Sequence, residues 1–302
     1  MTLQCTVWQY LNVLGNIPEV KVMHISSAWV LGALLLVAAG PVVAQDVCLP
    51  GKDSHEANTF AILSVPVAFT GARVPVHSHG TTVSFGLEVA SIPDVDAADA
   101  TPTTCRPGKG PENAHPIDVL VRPRVAVSWH ELVFEASWIP PVTVSGVRAN
   151  LVGLAIAHPH PLGRELVLGL RIEAVFGSLH APVTCNDAAL RDPASECFGG
   201  TRSNDRWSPN IFGAEAALGR SHGRLRPHVG VGYSFLDPRF QVDFTNAAGS
   251  TDRRQVNVNL QRAAVFGGLT YVAARASVTA EAYSTPADAV AARVVLRALL
   301  SR

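Results

Sequence analysis

From residue 82 to the end of the chain, apolar and polar positions alternate with a period of two. The alternating segments are parted by clusters of Gly, Pro, Asn and Asp. They cover 82–91, 119–129, 131–139, 146–158, 164–179, 210–219, 226–235, 255–273, 275–284 and 289–300, and so predict ten strands. In "RELVLGLRIEAVFGSL", Leu166, Leu168, Leu170, Ile172, Ala174 and Phe176 fall on one face; Glu165, Arg171 and Glu173 fall on the other. The segment 255–273 loses its alternation near Arg262, which predicts a bulge there.

A two-faced strand does not say by itself which face meets the solvent, but the connections do. If the first strand runs upward, the connections near 92–118, 140–145, 180–209, 236–254 and 285–288 all fall on one side. Those on the other side are tight. This segregation by parity is the loop asymmetry of a membrane barrel and is not expected of a soluble sandwich. The fold class predicted is therefore all-β, an antiparallel up-and-down transmembrane β-barrel of about ten strands preceded by a signal peptide. Its greasy face turns outward and its polar face turns into the lumen. Trp129 and Tyr271 then fall near the short-turn rim, and Trp138, Phe176, Tyr233 and Phe235 near the long-loop rim, as aromatic girdles.

The lumen so placed carries Glu88, Arg122, Arg124, Glu135, Arg171, Glu173, Glu215, Glu281, Arg293 and Arg297, with His228. Charges of both signs on neighbouring strands predict an ion-pair network that fills a narrow lumen. The alternative is a narrow passive channel whose selectivity those charges set. Residues 45–80 read as a periplasmic lead-in segment, within which "FAILSVPVAF" would add a short helix or plug the lumen.

Composition narrows the setting. Only 16% of the 302 residues are charged, 48% are hydrophobic, and Lys and Arg (24) balance Asp and Glu (24). No basic stripe with interleaved aromatics points to nucleic acid. The run "AWVLGALLLVAAGPVVAQ", with Lys21 and His24 before it, reads as a signal peptide cleaved after Ala44, with Met23 a candidate start. The domain reading is thus 1–44 signal peptide and upstream extension, 45–80 lead-in and 81–302 barrel. Export leaves four cysteines. Cys185 and Cys197, close together in one polar loop, form the natural disulfide, while Cys48 and Cys105 are left either paired or free.

The motifs "FGLEVASIP", "RPRVAVS", "WIPPVTVSGVRANL", "CFGGTRSNDR" and "VGVGYSFLDPRFQV" carry a resemblance over roughly 82–300. They resemble bacterial outer-membrane β-barrel proteins of the small OmpA, OmpX and OmpW type, and a family of predicted outer-membrane barrels. The resemblance implies the outer membrane as the location, with outer-membrane lipid, lipopolysaccharide and the barrel assembly machinery as partners. The ending "ALLSR" departs from the terminal aromatic common in such barrels.

Other chemistry is weaker. His77, His79, His130, His158, His160 and His222 collect at the short-turn rim but have no metal-ligand spacing, and no metal or other cofactor is expected. His180, Asp187, Asp192, Glu196, Ser203 and Asp205 lie on the long-loop side without a hydrolase motif, and no catalysis is expected. The polar loops carrying Arg202, Arg206, Arg253 and Arg254 are the expected place for a surface ligand.

Overall fold

Strict alternation over eight to sixteen residues selects extended backbone, and in the computed structural model it gives ten wall strands. The structure describes residues 46–75 and 80–301; the leader, His77 and His79 lie outside them. The strands are β1 (Thr82–Ser91), β2 (Val119–Trp129), β3 (Leu132–Ile139), β4 (Val147–Pro161) and β5 (Leu166–Ala181). They continue as β6 (Ile211–Arg220), β7 (Leu225–Leu236), β8 (Leu260–Val272), β9 (Ala276–Thr285) and β10 (Ala289–Ser301). Each pairs antiparallel with its successor, and β10 pairs with β1, so the sheet closes and leaves no free edge in the wall.

The bulge expected near Arg262 is absent. Register runs unbroken through Ser234–Arg262 to Leu236–Leu260. The lost alternation instead marks an element break, because Gln255–Asn257 leaves the barrel for a second, smaller layer. The irregularity in the wall sits on β10, between Leu299 and Ser301.

That second layer grows from the upper end of β5, which stands above the mouth. Short strands Asp205–Ser208, Arg239–Gln241 and Gln255–Asn257 add to it in turn, and Val47–Cys48 adds last, in parallel. They form a cap on the long-loop side. Both cysteine pairs are bridged in it: Cys185 to Cys197 within one loop, and Cys48 to Cys105 across 57 residues. The longer bridge ties the start of the described chain to the loop joining β1 and β2.

Candidate functional site

Between the cap and the lumen runs the one helix of the described residues, α1 (His55–Val67). Ser54 caps its start, its hydroxyl accepting from the Ala57 N–H at 3.1 Å. Glu56 in the first turn accepts from the backbone N–H groups of Thr103, Thr104 and Cys105 at 2.8–3.0 Å. Burial pushes the Glu56 carboxyl up, but those backbone donors outweigh it and hold the group below the usual carboxylate range.

The other end of α1 meets the lumen charges. A helix leaves its last carbonyls without partners and its C-terminus partly negative, so it seats well on cations. Val65 O accepts from Arg293 at 2.6 Å, Val67 O and Ala68 O accept from Arg122 at 2.9 and 3.1 Å, and Thr70 O accepts from Arg124 at 2.6 Å. Gly71 O accepts from Arg297 at 2.7 Å. Phe69, fully buried, lies under three guanidiniums, those of Arg122, Arg124 and Arg171, at 4.4–5.1 Å from its ring centre. The chain from Val65 to Gly71 is thus a plug held by four arginines of the wall.

Residues 65–71 of the 45–80 segment therefore lie in the lumen and Val47–Cys48 joins the cap on the long-loop side, which corrects the segment's reading as a periplasmic lead-in. The physical reason is that its free carbonyls and its phenyl ring find their cations only inside the barrel. The wall is shaped for it. A Cβ on Gly153 of β4 would stand 3.0 Å from the Phe69 ring, and one on Gly219 of β6 would stand 2.5 Å from Val74.

All ten lumen charges named from the sequence, and His228, are buried and face inward. Several pair directly across adjacent strands: Glu88 with Arg122, Arg171 with Glu215, and Glu281 with Arg293. Glu88, with no exposed side-chain surface, bonds both Arg122 and Arg124. Arg171 bonds Glu173 and lies 3.1 Å from Glu215 and 3.3 Å from Glu135. Thr70 of the plug links the halves of the network, donating to Glu281 at 2.8 Å and accepting from Arg293 at 2.7 Å. His228 lies 3.1 Å from Glu281.

Sequence reasoning missed Arg106, the latch of the cap. Its buried guanidinium bonds Glu112 and Glu196 and lies 3.7 Å from Asp252, so it joins three long loops. Lys109 bonds Glu196 as well, and Arg254 donates to Cys105 O at 2.5 Å. Burial, together with neighbouring Asp205 and Glu196, pushes the Glu112 carboxyl up to about 7 despite Arg106 beside it. A carboxyl raised in the folded state contributes stability that is present below its ordinary value of 4.5 and lost as pH rises through about 7. Asp205, raised mainly by burial, acts in the same direction. Limited proteolysis of the loops is therefore expected to quicken between about pH 5 and about pH 8, and Glu112→Gln to flatten that change. An unchanged profile in the variant would contradict the assignment.

Beneath the latch is a cavity of about 120 Å³. One stripe of α1 (Thr59, Phe60, Leu63, Val67) forms its floor, and Ile92, Leu120, Leu179 and Phe240 form its walls. Trp207 also lines it, and its indole N–H is buried without a partner. Among the described residues no group of three or more side chains is placed to hold a metal ion. Ser203 meets Asp205 at 2.8 Å, but the Cys185 N–H donates to that serine, and Asp205 accepts from the Thr184 and Asp243 N–H groups. These bonds hold the loops in place.

The outer face decides the setting. Leu170, Ile172, Val229, Val231, Val294 and Leu296 are exposed around the wall, while the charges beside them in sequence are buried. Trp129 and Tyr271 are exposed at the short-turn rim, and Trp138, Phe176, Tyr233 and Phe235 toward the long-loop rim. A closed wall with an apolar belt between aromatic girdles, short turns on one side and long loops on the other, suits lipid and not water. The chain is an outer-membrane β-barrel.

No protein-family model matches the chain, and no curated protein matches it. Among solved structures it is similar to Ail, the attachment invasion locus protein of Yersinia pestis, at 8% identity and TM-score 0.29 over 72% of this chain and 95% of that one. It is also similar to the Pseudomonas putida toluene transporter TodX, at 12% identity and TM-score 0.31 over 80% and 72% of the two chains. The Ralstonia pickettii toluene transporter TbuX gives 10% identity and TM-score 0.28 over 80% and 93%. Likeness at this level says nothing of what this barrel binds.

Proposed function

We propose that this barrel is closed at rest and acts at its outer end, as a surface-interaction protein without catalysis. The observation that carries this reading is the plug, because the backbone of residues 65–71 occupies the lumen and is bonded to four arginines on two strands. Function then falls to the cap, whose cavity fits a small, uncharged, largely apolar molecule. A dry apolar cavity of about 150 Å³ accepts benzene, so one near 120 Å³ is of the right order.

The reading is tested on a protein keeping Trp207 as its reporter, with the exposed Trp129 and Trp138 changed to Phe. Iodobenzene, a heavy-atom quencher, is expected to quench Trp207 saturably, and Ala114→Leu, which fills the cavity, to abolish saturation. Linear quenching, identical in both proteins, would mean partition into detergent and no site.

One observation favours a second reading, a gated channel. Another cavity, of about 200 Å³, lies at the other end of the plug. Withdrawal of residues 65–71 would join the two into a path through the lumen, whose remaining charges would then select among ions.

A further inference from the structure

The lower cavity is electrostatically unbalanced. It is lined by Arg73, Arg171 and Arg226 against a single carboxylate, Glu135. Glu135 is already shared, lying 3.1 Å from Arg124, 3.3 Å from Arg171 and 3.7 Å from Arg297. Arg171 has partners of its own in Glu173 and Glu215. Arg73, two residues beyond the plug, has no hydrogen bond or ion pair among the described residues. Among the described residues the Arg226 side chain bonds only the Gly223 carbonyl, at 3.1 Å. Nearby, Nη1 of buried Arg297 has no hydrogen-bond partner among the described residues.

Half-buried guanidiniums that lack a carboxylate of their own keep part of their desolvation cost, and an anion of matching geometry relieves that cost. A guanidinium presents a planar fork of donors that suits the paired oxygens of a phosphate. Thr82 and Ser128, opposite each other on β1 and β2, add two hydroxyl donors to the wall of the same cavity.

We propose that the lower cavity binds a soluble phosphate-class oxyanion, held between Arg73 and Arg226. The short-turn end is the side from which it enters, since Thr82, Ser128 and Leu299 of the lining lie at that end of their strands. The closed wall separates the site from lipid headgroups, so the ligand comes from the aqueous side. The inference goes beyond the closed-barrel reading and does not depend on whether the plug ever moves.

The mature protein, refolded in zwitterionic detergent, is titrated with inorganic phosphate at constant ionic strength while thermal unfolding and the phosphorus NMR line width are followed. Saturable broadening and a rise in melting temperature are expected with phosphate, and no such rise with chloride. Arg73→Gln with Arg226→Gln is expected to weaken binding by about tenfold or more. Arg226→Gln alone, at a half-buried site where folding is not at risk, is expected to weaken it several-fold. A phosphatidylglycerol-containing micelle that competes with phosphate would contradict the aqueous source. Equal responses to phosphate and chloride, or phosphate binding unchanged in the double variant, would overturn the site. Bilayer conductance of the same preparation reports separately on the plug.

Discussion

Glu88→Ala is expected to lower the unfolding free energy by about 3–5 kcal/mol, the usual consequence of removing one partner from a buried ion pair. Glu88 bonds Arg122 and Arg124 at once; both arginines also donate to plug carbonyls, and Arg124 lies 3.1 Å from Glu135 as well. Without the carboxylate, two buried guanidiniums repel each other across the seat of the plug. The comparison variant is Glu165→Ala, whose exposed partner Arg220 lies 2.9 Å away at the end of β6. An exposed pair contributes about 0–1 kcal/mol, so that change should be nearly silent. Urea unfolding in detergent, followed by tryptophan fluorescence, measures both. A Glu88→Ala loss no larger than that of Glu165→Ala would show that the lumen network does not hold the barrel together.

Gly153→Val is expected to unseat the plug without unfolding the wall. Gly153 lies on the inner face of β4, and even a Cβ there would stand 2.5 Å from Ser137 Oγ and 3.0 Å from the Phe69 ring. A valine cannot be housed unless Phe69 withdraws from beneath its three guanidiniums. The matching control is Gly267→Ala, where an added Cβ meets nothing closer than 3.5 Å. In a planar bilayer the Gly153→Val protein is expected to pass ionic current and the Gly267→Ala protein to stay silent. Phe69→Leu, which shortens the displaced ring, should partly restore closure. A silent Gly153→Val barrel with native stability would mean that the lumen stays shut without Phe69 in its seat.

Much of this was legible in the chain. Side chains alternate in a strand whatever the solvent, so all ten wall strands and all ten inward charges could be read from period and parity alone. Arg–Glu pairs across neighbouring strands followed from the same alternation. The plug was legible only as an apolar stretch near Pro66, a candidate helix or stopper. What sequence could not carry is that the partners of Arg122, Arg124, Arg293 and Arg297 include backbone carbonyls, because every residue has one and no side-chain pattern marks it. The cap sheet was hidden for a related reason: strands of two to four residues are too short to show a period. Arg106 stands in a loop rich in Pro and Gly with no pattern to mark it, because the convergence of three loops on it is a property of the fold. Arg73 gave no signal, since its lack of a partner among the described residues is a property of the fold.

The measurement that bears most directly on the central claim is single-channel recording of wild-type protein spanning residues 45–302 in a planar bilayer, with insertion checked independently. A lumen closed by residues 65–71 predicts no conductance steps. Steady open steps from correctly inserted wild-type protein would contradict a closed resting barrel and make the plug a mobile gate.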